Sequence, residues 1–373
     1  MDVQNSLAQL RTKRGLGASQ LAAAVGISRQ TVYAIEAGTY VPNTAVSLRL
    51  ARILESSVEE IFQLEPEEQA TDQTAEAVVL GDPESLPAGQ PLRLCTVNGH
   101  LVAVLPDEGG WGLPATDGVL IAPLSGGKRL ANAKVQVFKT GWNSPSRILI
   151  AGCDPSASIL ANTLQRQGCD LVIAYQNSSR SLELLHKGLV HVAGTHLAGG
   201  DGGDGALSPA KMFTRNSVAV ISYAVWHEGL VVAKGNPKKI SGIADLLRKD
   251  VRIANREPGA GCRLLLDDLL REHGIASSKV KGYERISFGQ LPPARLVQSG
   301  EVDCCISTQA VARSLGLDFI PLAKRPYKLV LRRTQLNLPP IQTLIETLGR
   351  ASFRREVEAC IGYDMRTAGD RLV

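Results

Sequence analysis

No stretch of this sequence approaches the roughly 18 consecutive apolar residues of a membrane span. Met1-Asp2-Val3-Gln4-Asn5 lacks the basic start of a signal peptide. Both absences point to a cytoplasmic chain with no membrane partner. The seven cysteines, at 95, 153, 169, 262, 304, 305 and 360, are scattered and form no CxxC pairs, so a structural zinc site is not expected. Buried, reduced thiols are the expectation instead. No Ser-His-Asp grammar and no nucleotide fingerprint are present, and Asp267-Asp268 would face different sides of a helix. An enzyme is therefore not expected. Charge is nearly balanced: +5 over 373 residues, which permits a nucleic-acid partner without demanding one. What remains is an ordinary globular composition, 44% hydrophobic and 21% charged, long enough for two or three domains.

The most specific pattern lies near the start. Counting Ala18 as position one, Ala22 falls at five, Gly26 at nine, Val32 at fifteen and Ile35 at eighteen. This is the spacing of a helix-turn-helix, a motif that places its second helix in the DNA major groove. Ala22 allows close helix approach, and Gly26 can take the positive φ of a sharp turn. Val32 and Ile35 share a face that turns inward onto Leu21 and Val25. Ser28 is suited to cap the second helix. Helices are predicted over 3–13, 18–25, 29–37, 43–54 and 57–62.

The run Ser28-Arg29-Gln30-Thr31-Val32-Tyr33-Ala34-Ile35-Glu36-Ala37-Gly38, followed by Pro42, resembles the XRE (Cro/repressor-like) DNA-binding family over about residues 5–62. The resemblance implies double-stranded DNA as partner and a homodimer matched to pseudo-palindromic half-sites. It implies base or phosphate contacts from Arg29, Gln30, Thr31 and Tyr33, with Ser28 at the helix start and Glu36 structural. The family usually opens the first motif helix with Ser-Gln, its Gln on a phosphate; here those places hold Gly17 and Ala18. Ser19 and Gln20 are the available substitutes, and Gln20 is counted with the DNA-binding set. Residues 1–64 carry six Lys or Arg against five acids, so phosphate affinity has to come from placement.

The rest of the chain divides by texture. Residues 65–90 begin polar and acidic and read as a linker. Residues 91–145 read as a small β-rich module, with a hairpin turning at Asn98-Gly99 and further strands at 119–123 and 133–139. From 146 to 373, strands alternate with helices, which predicts α/β lobes with largely parallel sheets. The fold class expected is therefore multidomain: an all-α helix-turn-helix domain, a small β-rich module and a two-lobed α/β domain.

Three helix starts in this last region follow strands and carry small residues: Cys153-Asp154-Pro155-Ser156, Gln176-Asn177-Ser178-Ser179 and Glu257 to Cys262. Helix N-termini at strand ends offer unpaired N–H groups to an anion, and neutral donors suit a reversible oxyanion. Asn255-Arg256-Glu257-Pro258-Gly259-Ala260-Gly261-Cys262-Arg263-Leu264-Leu265-Leu266-Asp267 is similar to a stretch of the periplasmic-binding-protein-like domain related to molybdate-binding proteins. Ala193-Gly194-Thr195-His196-Leu197, His227-Glu228-Gly229-Leu230, Gly235-Asn236-Pro237 and Leu317-Asp318-Phe319-Ile320-Pro321-Leu322 match further motifs of that domain, over about 147–366.

The resemblance implies a type II binding-protein fold, lobes joined by crossing strands near 225–232 and 318–328, and a ligand in the cleft, with molybdate or tungstate as effector. The implied ligand residues are Ser156, Ser178, Ser179, Thr195, His196, Arg256, Gly259, Ala260, Gly261, Cys262 and Arg263. Two hydroxyls of the family's Gly-Ser-Gly-Thr are lost at Ala260 and Cys262, while backbone donors survive. His196 either lines the site or satisfies a local backbone bond, and Ser307 is a further candidate to face the cleft. The glycine-rich loop 199–205 lacks the Lys-Ser/Thr of a phosphate loop and reads as a flexible cleft-mouth segment. Alternatives are a regulator sensing a molybdenum-cofactor precursor or an organic acid, and a cofactor-handling protein or enzyme.

Overall fold

The computed structural model describes residues 3–64, 73–81, 86–105, 116–127, 130–138, 142–196, 213 and 217–372. The glycine-rich loop 199–205, Leu197 and residues 65–72 and 82–85 of the expected linker lie outside them. The chain forms two compact units, Met1–Thr71 and Asp72–Val373.

In the first unit, α1 (Leu7–Lys13), α2 (Ala18–Val25), α3 (Arg29–Glu36), α4 (Thr44–Leu54) and α5 (Val58–Ile61) surround one apolar cluster of Leu7, Leu21, Val25, Val32, Ile35, Leu50, Leu54 and Ile61. Gly26 takes φ 77° in the turn between α2 and α3. Ser28 caps α3 by accepting the Thr31 N–H at 3.0 Å. The first expected helix starts four residues late. Val3–Asn5 (β1) instead pairs antiparallel with Phe62–Leu64 (β2). The Ser6 N–H donates to the Ile61 carbonyl at 2.8 Å, and Asn5 Oδ1 accepts the Leu7 N–H at 3.3 Å. These bonds stop the helix from extending backward.

The second unit begins earlier than its texture suggests. Gln73–Val79 (β3), assigned to a linker by composition, is a strand. With Pro91–Val97 (β4), His100–Val104 (β5), Gly118–Gly127 (β6) and Leu130–Val137 (β7) it closes a barrel in the order β3-β5-β4-β6-β7. Asn98 and Gly99 join β4 to β5 with φ 49° and 81°, the paired positive angles of a hairpin turn. Strands β4 and β5 are apolar on both faces. Leu92, Leu94 and Ala103 fill the barrel, whereas Cys95, Val97, Val102 and Val104 share a core with Leu149, Ala151, Val172 and Leu182 of the neighbouring lobe.

That lobe is built on Arg147–Gly152 (β8), Ala157–Gln165 (α6), Asp170–Tyr175 (β9), Ser178–His186 (α7) and Val192–Thr195 (β10). Two 15-residue strands, Val218–Val232 (β11) and Asp318–Arg332 (β15), pair antiparallel along their lengths and run from it into the second lobe. The second lobe holds Ile253–Arg256 (β12), Gly261–Glu272 (α8), Ile286–Ser287 (β13), Leu291–Gln298 (α9), Cys304–Thr308 (β14) and Gln309–Ser314 (α10). Pro339–Gly349 (α11) and Ala351–Glu358 (α12) return to the first lobe, where Ile341, Leu344 and Phe353 join its core. Tyr363–Asp364 (β16) pairs with β11. The sheet runs β13-β12-β14-β11-β15-β10-β8-β9. It is mixed, not largely parallel: β8, β9 and β10 are parallel, as are β12, β13 and β14, and the antiparallel crossing pair divides them. The helix expected over 243–249 is a 3₁₀ turn, Ile243–Leu247. No helix among the described residues is long and apolar enough to cross a membrane.

Candidate functional site: a helix-turn-helix face and an interlobe cleft

On the first unit, Ser28, Arg29, Gln30, Tyr33 and Gln20 are exposed and Thr31 is half-buried. Several are already engaged. Arg29 lies over the Tyr33 ring at 5.3 Å and donates to its hydroxyl at 2.9 Å. Ser28 and Thr31 share a hydroxyl bond of 2.8 Å. The Gln20 side-chain oxygen accepts the Gly17 N–H at 2.7 Å, so Gln20 caps α2. Glu36 is structural: Arg11 Nε reaches it at 2.6 Å, with both side chains largely buried.

In the second unit the two lobes meet around the start of α8. The Ser179 N–H points at the Gly259 carbonyl at 3.4 Å, and Asn177 Nδ2 donates to the Pro258 carbonyl at 3.4 Å. A methyl group on Gly261 would overlap the His196 ring, so the glycine permits this closure. Gly259, whose missing side chain would meet Ser179, and Gly261 thus serve the close approach of the lobes.

Four side chains converge here, each more than nine-tenths buried: His196, Glu228, Arg256 and Gln290. His196 Nδ1 sits 3.0 Å from Glu228 Oε1. Cys262 Sγ reaches both Glu228 Oε1 and Gln290 Oε1 at 3.6 Å. Ser307 donates to Gln290 Oε1 at 3.0 Å. Arg256 makes a two-pronged pair with Glu257, both bonds 2.9 Å. All four keep polar atoms without a hydrogen-bond partner: Glu228 Oε2, Arg256 Nη1, Gln290 Nε2 and both ring nitrogens of His196, whose Nδ1 lies at ion-pair distance from Glu228. Buried polar atoms are nearly always bonded, so this concentration of unpartnered atoms around one helix start makes it the candidate ligand site.

Charged groups stand beside the neutral donors of this helix start. Burial would raise the Glu228 carboxyl, but the His196 charge and hydrogen bond, with Arg325, hold it below its usual value. Burial would likewise lower Arg256, yet Glu257 keeps it firmly protonated. Across the cleft, burial pushes Asp154 up to about 6 despite bonds from the Ser156 hydroxyl and amide. Asp154 also borders a cavity of about 10 Å³, room for one water, with Ile150, Tyr223 and Tyr327.

Several expected ligand residues are placed otherwise. Ser156 is buried, its hydroxyl held by Asp154 and, at 2.7 Å, by Tyr223. Ser178 Oγ accepts the His196 N–H at 3.3 Å. Arg263 turns away from the cleft, lying over Tyr283 at 4.9 Å and donating to the Arg256 carbonyl at 3.1 Å. Its i+4 neighbour Asp267 accepts from Tyr283, while Asp268 pairs with Arg271. Thr195, Gly259, Ala260, Gly261 and Cys262 do lie at the junction, the side chains of Thr195, Ala260 and Cys262 being buried. Glu228 stood in a quoted motif without a role, and Gln290 carried no signal beyond preceding Leu291-Pro292-Pro293. Of the seven cysteines, six are buried and Cys360 is exposed. Among the described residues no cluster of three or more His, Cys, Asp or Glu is arranged to hold a metal ion.

Comparisons agree with this two-part organisation. A family model described as a PBP superfamily domain matches residues 161–349, and one described as a helix-turn-helix domain matches residues 5–64. The chain is 31% identical over 239 residues to the uncharacterized protein YvgK of Bacillus subtilis, covering 64% of this chain and 77% of that protein. Over 65 residues it is 37% identical to the uncharacterized HTH-type transcriptional regulator YgzD of the same organism, covering 17% of this chain and 98% of that protein. An ABC-type phosphate transport receptor from Vibrio cholerae matches with a TM-score of 0.42 at 16% identity, over 58% of this chain and 98% of that one, too loosely to carry a ligand across. The chain belongs to the PBP superfamily and joins that ligand-binding domain to the helix-turn-helix of an HTH-type transcription regulator.

Proposed function

We propose that this protein is a cytoplasmic, ligand-responsive regulator that binds operator DNA as a homodimer and holds a small oxyanion between its lobes. DNA contact falls to the exposed face of α3, where Arg29 suits guanine and Gln30 adenine, with Ser28, Thr31, Tyr33 and Gln20 toward phosphates. Molybdate or tungstate is the effector that the sequence resemblance implies. The observation carrying the oxyanion reading is the pair of buried, unpartnered donors Arg256 Nη1 and Gln290 Nε2 beside the first N–H groups of α8. Closing the lobes on the effector would bias the regulator between two geometries, and a coupling of about 1–3 kcal/mol suffices for a useful change in DNA affinity. Binding, not turnover, is the proposed activity.

Two measurements test this. Arg29→Ala with Gln30→Ala should weaken binding to genomic duplex fragments; unchanged affinity and salt slope would remove the DNA reading. Thermal shifts with millimolar molybdate, tungstate, sulfate and phosphate should reveal at least one stabilising oxyanion. Silence from all four would remove the oxyanion reading.

A further inference from the structure

Three polar contacts bridge the lobes at the start of α8, and they are unequal. The Ser179 amide reaches the Gly259 carbonyl and the Asn177 side chain reaches the Pro258 carbonyl, both at 3.4 Å, longer than a usual N–H···O bond. The third runs from His196, which follows β10 in the first lobe, to Glu228, on β11 where that strand pairs with β14 of the second. It spans 3.0 Å between side chains that are almost wholly buried. Burial would raise the Glu228 carboxyl, but the charge of His196 holds it below its ordinary value. The attraction is therefore that of an ion pair out of reach of water.

The imidazole is seated as well as paired. Its backbone N–H donates to Ser178 Oγ at 3.3 Å, and Trp226 of the crossing strand meets the ring edge-on, centroids 5.2 Å apart. Against it lies Gly261, where a Cβ would fall 1.9 Å from His196 Nε2. A ring of one lobe thus fits a notch in the other, and the notch exists because residue 261 has no side chain. The crossing strands, which must bend if the lobes part, carry register breaks between Ser222 and Ala224 and between Glu228 and Gly229. Two lobes on a jointed connection, with one strong contact across them, form a two-state element.

We propose that His196 is a latch: seated on Gly261 and paired with Glu228, it holds the two lobes closed and sets how often they open. The assignment goes beyond effector binding and does not depend on which effector the protein takes. An effector shifts open and closed populations only by its differential affinity for them, so the latch fixes the balance against which it works.

The test reads lobe separation directly in the full-length protein. Nitroxide labels on Lys187→Cys and Glu272→Cys, with the exposed Cys360 replaced by Ser, mark the far ends of α7 and α8, whose N-termini meet at the junction. Distances from pulsed electron resonance should be mainly the short ones of closed lobes. His196→Ala should raise the ratio of long to short distances at least tenfold. Glu228→Gln keeps the size of that side chain and removes its charge, and should do the same. Gly261→Ala should also raise the ratio, yet add nothing in the His196→Ala background, where the methyl meets no ring. An unchanged ratio in His196→Ala or in Glu228→Gln overturns the latch, and the near-isosteric Glu228→Gln decides the matter if His196→Ala does not fold. A wild type already dominated by the long distance overturns it without any latch variant.

Discussion

At Gly261 the lack of a side chain is what lets the two lobes touch, because a Cβ there would occupy the His196 ring. Gly261→Ala should lose about 1–3 kcal/mol in chemical denaturation, the usual range for forcing a methyl into filled space. Asp154 offers a second single-residue test. Its folded value of about 6 lies above the ordinary carboxyl value of about 4, so the folded state holds that proton more tightly than the unfolded chain. The stabilisation is complete below about pH 4 and is lost as pH rises through about 6. Other carboxylates, Asp117 and Glu228 among them, are lowered and run the opposite way, so the difference between wild type and Asp154→Asn isolates the effect. That difference should move against the wild type by about 3 kcal/mol between pH 4 and pH 7 in denaturant titrations. A flat difference would mean that Asp154 ionises as it does in the unfolded chain.

Among the elements, the joint between the barrel and the first lobe depends on one carboxylate. Asp117 accepts from Arg93 Nε, Arg147 Nη1 and the Leu94 amide, each at 2.9 Å, and Asp170 reaches Arg147 at 2.6 Å. Burial opposes the charge on Asp117, but the Leu94 amide and the two guanidiniums hold its carboxyl low. Asp117→Ala would leave Arg93 and Arg147 crowded together with only Asp170 between them. A loss of about 3–5 kcal/mol is expected, as for breaking a buried pair on one side. A loss under 1 kcal/mol would show that the shared apolar core alone carries the joint. These elements also show where sequence pattern misleads. Gln73–Val79 looked like linker because it follows an acidic stretch, and its partners in β5 and β7 lie some 25 to 60 residues away. Only long-range pairing makes it a strand. In contrast, α2, α3 and the Asn98-Gly99 hairpin follow from contacts within a few residues, and their positions match the pattern closely.

For the molecule as a whole, each unit has an apolar core of its own. The cluster around Leu21 and Ile35 draws only on the first unit, and the clusters of the barrel and lobes draw only on the second. A protein lacking residues 1–71 should therefore fold with a single cooperative melt and keep the oxyanion-induced thermal shift of the full chain, read by calorimetry. Loss of the melt on truncation would show that the second unit needs the first. The DNA-binding variants and the cleft variants should accordingly separate: Arg29→Ala with Gln30→Ala leaves oxyanion affinity unchanged, and Glu228→Gln leaves the melt of the first unit unchanged.

The sequence by itself determined the helix-turn-helix, its Gly26 turn and Ser28 cap, and the alternation of strands and helices behind the two lobes. Those features follow from periodicity, turn chemistry and capping, all of which act over a few residues. It also marked the turn from Glu257 to Arg263 as chemically special. Tertiary structure alone decided what that stretch does. It closed the barrel with Gln73–Val79 and turned Arg263 outward onto Tyr283. It buried Ser156 against Asp154 and brought Glu228, His196 and Gln290 from three separate elements to the start of α8. The reason is physical. Whether a carboxylate faces solvent, an arginine or a ligand depends on burial and on partners far away in the sequence, such as Tyr363 beside Asp154, and no local pattern records either.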